Sequence, residues 1–277
     1  MMKSVIYNMK ATVINEQDVL STYLKSKGLV DCAKKMKIST NRLKNILMKN
    51  GIHISMRKHT LNIDFFETIK SPEVAYWLGF IIADGYLTQA HNKLSLKVKD
   101  KDILPKFKKC INAGSPVREA FPFDKRTGKN YCSQSIQICS KDFCKHLLNL
   151  GVSNAKSQKC LPPPMREEFY SHFVRGVFDG DGGFFMKKAQ IKYAGILKIC
   201  GTEDILKFIQ ETVYKKININ SKLSQSKYKN LFYLYFQKKD FKPFLDWIYS
   251  ESHSDIRLDR KYISYEFLNS IFGTPEW

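Results

Sequence analysis

The sequence predicts an α+β protein. It would hold two pseudo-symmetric αββαββα half-domains, each with an antiparallel sheet, behind a small helical N-terminal domain. Three observations carry this. An apolar run closed by Asp-Gly occurs twice, as Trp77-Leu78-Gly79-Phe80-Ile81-Ile82-Ala83-Asp84-Gly85 and as Val174-Arg175-Gly176-Val177-Phe178-Asp179-Gly180-Asp181-Gly182. The same order of patterns follows each run: two alternating segments, an amphipathic segment, two more alternating segments and another amphipathic one. Ahead of both lies a basic stretch with helical periodicity.

Residues 1–58 are read as that helical domain. Residues 25–58 hold ten Lys or Arg against one acid, Asp31. Residues 29–50 read as helix, tight turn, helix. Cys32, Ala33 and Met36 face inward on the first helix, and Leu43, Ile46 and Leu47 on the second. Lys37-Ile38-Ser39 is the turn, Ser39 or Thr40 is the cap, and Asn50-Gly51 is the stop. This pattern resembles a helix-turn-helix, except that Lys37 stands where the motif often has Gly. Outward residues Arg42 and Lys44, with Asn41, Asn45 and Lys49, are candidates for a DNA major groove. The plainer alternative is a basic helical hairpin.

Residues 59–71 are expected to be a linker, 72–159 the first half-domain and 160–277 the second. Ser71-Pro72-Glu73 starts the first motif helix with an N-cap, a proline at N1 and an acid in the first turn. Hairpin strands are expected at 86–89 and 93–99, a helix at 101–112, strands at 117–123 and 131–138, and a short helix at 141–150. The triple proline 162–164 bars both helix and ladder and separates the halves. The second half repeats the order: strands at 183–187 and 194–200, a helix from Thr202 to about Lys216, strands at 221–227 and 231–237, and a helix at 240–249.

Composition restricts the function. The 277 residues carry a net charge of +20, and 43% of them are apolar. A folded chain that basic points to a polyanion. No apolar run approaches a membrane span, and the first residues lack a signal-peptide core. An intracellular setting, cytoplasm or organellar matrix, is expected. The seven cysteines include no Cys-x-x-Cys pair, so neither zinc nor a secreted disulfide framework is indicated. The six histidines form no visible nucleophilic triad.

The doubled motif has a physical logic. Gly79 and Ala83 lie one helical turn apart, as do Gly176 and Gly180. Small residues at that spacing let another helix approach closely. Two such helices side by side would bring Asp84 and Asp181 together at their C-terminal ends. The macrodipole disfavours carboxylates there by roughly 0.3–1 kcal/mol each, and the pair also repels. A divalent cation makes sense of that placement. Gly85 and Gly182 are expected to leave the helices with φ > 0 and to let metal or phosphate come near.

With both motifs and the repeated element order, the chain from about residue 72 onward resembles a single-chain, two-motif LAGLIDADG homing endonuclease. The resemblance implies magnesium held at Asp84 and Asp181, with Gly85 and Gly182 beside it, next to the two scissile phosphates of duplex DNA. It implies a basic residue from each half near the attacking water, at Lys156 and Lys261. Asp100 is a weaker candidate near that water. Asp179 is read as a packing or capping group, and Arg175 as facing away from the helix interface.

Strand alternation nominates the DNA-reading side chains. Lys93, Ser95, Lys97 and Lys99 share one face, opposite Leu94, Leu96 and Val98. Lys125, Arg126 and Lys129 lie in a loop that reaches phosphates. Gln190 and Lys192 mark a hairpin turn of the second half, and Lys222, Ser224, Tyr233, Tyr235 and Gln237 its later hairpin. Binding should weaken steeply with salt. The expected function is therefore a site-specific, magnesium-dependent endonuclease that breaks both strands of a long pseudo-palindromic site as a monomer. The alternatives are an intron RNA maturase and a catalytically silent DNA-binding regulator.

Overall fold

A computed structural model describes residues 15–26, 29–51, 59–88, 90, 92–125, 127–153, 162–189, 192–228 and 230–274; for residues 186–189 and 192–194 only the backbone is described. The chain divides into two compact units, Met1–Lys58 and His59–Trp277.

The described part of the first unit is a three-helix cluster, α1 (Glu16–Leu24), α2 (Leu29–Lys35) and α3 (Thr40–Lys49). Val19, Cys32, Ala33, Leu43 and Leu47 close its core. Ser39 caps α3 by accepting from the Arg42 N–H. The turn between α2 and α3 places Lys37 at φ 54°, in the left-handed region. This is the position where a helix-turn-helix often has glycine, and a lysine there costs about 1 kcal/mol. Lys37→Gly should therefore stabilise this unit by about that amount, read as slower hydrogen exchange of the α3 amides in the full chain. Asn41, Arg42, Lys44 and Asn45 are exposed on α3. Lys49 is instead paired with Glu16 at 3.0 Å. Helix α1 lies ahead of the two helices expected from the sequence.

The second unit contains both motif helices. In the first half, α4 (Pro72–Asp84) leads to β1 (Gly85–Thr88), β2 (Lys93–Val98), α5 (Ile103–Cys110), β3 (Arg118–Ala120), a ribbon of β4 (Phe123–Asp124) and β5 (Lys129–Asn130), β6 (Ser133–Cys139) and α6 (Lys141–Asn149). In the second, α7 (Tyr170–Asp181) leads to β7 (Gly182–Ala189), β8 (Lys192–Gly201), α8 (Glu203–Ile217), β9 (Lys222–Gln225), β10 (Phe232–Phe236) and α9 (Phe241–Tyr249). The two sheets have equivalent antiparallel orders, β1-β2-β6-β3 and β7-β8-β10-β9. The predicted α+β architecture is thus the observed one.

Burial explains the sheets. Along β2 the even residues Leu94, Leu96 and Val98 are buried while Lys93, Ser95 and Lys97 face outward. In β8 and β10, Leu197, Ile199, Leu234 and Phe236 point to the core. Each sheet therefore has one covered and one open face.

Three differences from expectation have physical causes. The segment 59–71 is no exposed linker: Ile63–Phe66 forms a 3-10 helix, and Phe66 is fully buried against Phe143 of α6. The expected hairpin 117–138 is interrupted by the β4–β5 ribbon, so β3 pairs over three residues only. A further helix, α10 (Asp259–Ile271), follows α9.

Candidate active site

The site begins where α4 and α7 cross. A Cβ on Gly79 would stand 2.2 Å from the Phe173 carbonyl oxygen, and one on Gly176 would stand 2.0 Å from that of Tyr76. One turn on, a Cβ on Gly180 would meet the Ala83 Cβ at 2.3 Å and lie 3.6 Å from the Asp84 carboxyl carbon. The small residues are therefore what lets the two backbones touch. Asp84, the last residue of α4, lies beside Gly180, the neighbour of Asp181 at the end of α7. Asp84 is exposed and Asp181 half-buried.

Gly85 and Gly182 do not have positive φ. They adopt extended conformations, φ −72° and −82°. Close approach is the reason for glycine here: a Cβ on Gly85 would stand 2.7 Å from the Ile81 carbonyl oxygen, and one on Gly182 would stand 2.3 Å from the Phe178 ring.

Lys261, from the first turn of α10, reaches into this corner. Its Nζ donates to the carbonyl oxygens of Phe178, Asp179 (2.8 Å) and Gly182 (2.6 Å). It thereby satisfies the open end of α7, whose last turn has no basic residue of its own. Burial pulls the ammonium pKa down to about 8, opposed by the negative charges of Asp179, Asp84 and Asp181. Lys261 is thus within electrostatic reach of both motif acids, though its donors are committed to backbone.

Asp179 lies deeper and forms a knot between the halves. It accepts from the Tyr76 hydroxyl of α4 (2.9 Å), the Tyr249 hydroxyl of α9 (2.8 Å) and the Leu258 N–H (2.8 Å). Burial pushes its carboxyl pKa up, and Lys261 and these donors oppose that. The packing role expected for Asp179 is the one its geometry gives.

Arg175 does not face away from the interface. It is fully buried, and its guanidinium lies 5.4 Å from the Tyr76 ring of α4. It donates to the carbonyls of Ile248 and Ile256 and to His172 Nδ1 (2.8 Å). Those carbonyls flank the turn into α10, so Arg175 braces the segment that carries Lys261. A guanidinium has only donors, so His172 Nδ1 accepts and its proton sits on Nε2, 3.4 Å from Glu251. Burial, with Arg175 beside it, holds the His172 pKa down to about 4. The unfolded imidazole titrates near 6.5. Between those values the unfolded chain binds the extra proton, so stability present above pH 6.5 is lost as pH falls toward 4. The loss attributable to His172 should reach up to about 3 kcal/mol. In urea titrations at pH 7 and pH 4.5, His172→Gln should show a smaller drop than wild type.

Asp100, expected near the attacking water, is engaged by a side chain from the start of α10. Arg260 grips it through two bonds of 2.9 and 3.2 Å. Lys106 similarly bridges Asp102 and Asp259, both at 2.8 Å. The start of α10 is thereby pinned to the first half.

The other sequence candidates are distributed as follows. Lys93, Ser95 and Lys97 lie on the open face of the first sheet; Lys99 lies just past β2, with its ammonium 4.1 Å from the Tyr131 ring centre. Lys125 and Lys129 are exposed around the β4–β5 ribbon. Lys222, Ser224, Tyr233 and Tyr235 share the open face of the second sheet, as their pairing shows, and Gln237 is exposed beyond β10. Lys192 opens β8, and its side chain is not described. Lys156, Arg126 and Gln190 lie outside the described residues. Arg175, His172 and Arg260 had not been singled out for these roles.

The donor set can be tested against a divalent ion. Asp84 and Asp181 offer hard carboxylate oxygens, the type magnesium and calcium take. Among the described residues, no group of three or more His, Cys, Asp or Glu comes together to hold a metal. Two carboxylates supply only part of such a shell, and water and phosphate oxygens would have to complete it. The Gly182 carbonyl, already accepting from the Lys261 ammonium, is a poor additional ligand.

No helix among the described residues is long and apolar enough to cross a membrane. No protein-family model matches the chain. A 124-residue stretch is 27% identical to the replication factor C small subunit of Methanocaldococcus jannaschii, covering 43% of this chain and 6% of that protein. The chain thus spans a small fraction of that relative's length. Among solved structures, the chain is similar to the homing endonuclease I-WcaI bound to its DNA recognition sequence, at 15% identity and TM-score 0.48, over 70% of this chain and 88% of that one. It is also similar to I-DmoI in complex with DNA and Mn (14%, TM-score 0.44, 69% and 99%) and to the N-terminal LAGLIDADG domain of DUF199/WhiA (20%, TM-score 0.45, 73% and 96%).

Proposed function

We propose that residues 59–277 form a divalent-metal-dependent DNA endonuclease of the homing type, and that residues 1–58 add a second DNA-binding element. The observation that carries this is the crossing of α4 and α7, which holds Asp84 beside the end of α7 that carries Asp181. Both carboxylates stand at the negative ends of helices, in a chain of net charge +20 suited to a polyanion. Two acids in that position would repel each other and a phosphate. A bound magnesium ion would offset that repulsion and supply Lewis-acid stabilisation of the phosphate oxygens.

The chain's own residues do the rest. Asp84 and Asp181, one from each half, would hold the cation. Lys261 is a positioning residue: it holds the last turn of α7 and so the placement of Asp181. The open faces of the two sheets, with Lys93, Lys97, Lys198 and Lys222, grip the duplex. Phosphate contacts by these lysines and by Arg42 and Lys44 would make affinity fall steeply with salt.

The test is a plasmid in which the gene's two flanking sequences are joined as an uninterrupted site, incubated with the full chain and magnesium or with EDTA. A discrete magnesium-dependent double-strand cut supports the endonuclease. Tight binding without cutting in any divalent metal points to a DNA-binding regulator. Binding to intron RNA, without binding to this DNA, points to a maturase.

A further inference from the structure

The two open sheet faces differ in chemistry. The first presents Lys93, Ser95, Lys97, Ser135 and Gln137 around one exposed aromatic, Tyr86, as the pairs Tyr86–Ser95, Ser95–Gln137 and Lys97–Ser135 fix. On the second, Phe185 of β7 is paired directly with Ile196 of β8, and the two are 62% and 56% exposed. Neighbouring positions on that face hold Lys198, Tyr233 and Tyr235, with the Lys198 ammonium 4.5 Å from the Tyr233 ring centre. The opposite side of β8 carries Leu197 and Ile199 at 0% exposure, so Phe185 and Ile196 are not displaced core residues.

An aromatic and an aliphatic side chain paired across two strands leave a contiguous apolar surface in water. Here it is bordered by Lys198, on a face that the proposed function sets against DNA. The major groove offers such a surface one complementary feature, the C5-methyl group of thymine. We propose that Phe185 and Ile196 read thymine methyl groups, so the half-site under the second sheet is marked by adjacent T·A pairs. The first sheet, with amide, hydroxyl and ammonium groups, reads its half-site by hydrogen bonds. The target is therefore asymmetric in composition although the fold is pseudo-symmetric. This inference rests on the DNA-binding reading above.

The test uses the full chain to select duplexes from a randomised library in calcium buffer. One half of the selected site should carry two or more adjacent T·A pairs. Replacing each of those thymines by deoxyuridine removes only the methyl group. Affinity should fall roughly fourfold per methyl, the value for one buried carbon. Phe185→Ser with Ile196→Thr, both at exposed positions, should bind the thymine and deoxyuridine duplexes equally. Equal binding of the two duplexes by the unaltered chain would overturn the methyl readout and leave DNA recognition standing. So would a deoxyuridine effect that persists in the double variant. Failure to enrich any duplex would overturn both.

Discussion

Gly176→Val is expected to abolish folding of the two-motif unit, and Gly176→Ala to cost at least about 3 kcal/mol, the upper end of the usual overpacking range. The added Cβ would stand 2.0 Å from the Tyr76 carbonyl oxygen and 2.8 Å from the Phe80 nitrogen. Both are backbone atoms of α4, so no rotamer change relieves the clash. Moving the helices apart would break the Tyr76–Asp179 bond and open the apolar crossing. Gly79→Ala should behave alike, because its obstacle is the Phe173 carbonyl. Gly180→Ala meets only the Ala83 side chain, so adding Ala83→Gly should restore most of its stability. Gly183→Ala, with nothing within 4 Å of the new Cβ, should stay within about 0.5 kcal/mol of wild type. Urea unfolding of the four alanine variants and the rescue pair checks this ranking. Equal tolerance at Gly176 and Gly183 would contradict the close crossing.

The largest effect on activity is expected at the motif acids. Asp84→Asn or Asp181→Asn removes one of two carboxylate charges while keeping the side chain's size. Removing a carboxylate that would hold the cation should lower double-strand cutting by about a thousandfold or more, in line with removing a main electrostatic stabiliser. DNA affinity should be retained, since each change removes a negative charge facing a polyanion. Each change removes a negative charge from the C-terminal end of a helix, where the macrodipole disfavours it, so the unfolding midpoint should not fall steeply. That split, binding and stability kept but cutting lost, separates a role in the reaction from a role in the fold.

The motif helices were legible because their signals are local. Ser71 caps α4 by accepting from the Val74 N–H, and the Gly and Ala spacing marks the crossing. The alternation along β2 was legible because one face is core and the other open. The helix α10 was not, because its buried residues, Lys261, Leu268 and Ile271, make a sparse stripe with a charge in it. Arg175, His172 and Asp179 show a general limit. A buried charge is stable only with its partners, and those partners come from α4, α9 and the turn before α10. Nothing in nine residues of sequence announces them. The reading of Gly85 and Gly182 failed for a related reason. Glycine was assigned to backbone freedom, whereas the preceding turn of each helix leaves no room for a Cβ.

The most direct measurement labels each strand of the joined flanking site separately and follows both with magnesium, using wild type, Asp84→Asn and Asp181→Asn. Wild type should give one cut per strand with a short 3′ overhang. In either variant, double-strand product should be lost while the gel shift remains. Double-strand cutting that persists in either variant, or proceeds in EDTA, would contradict the account.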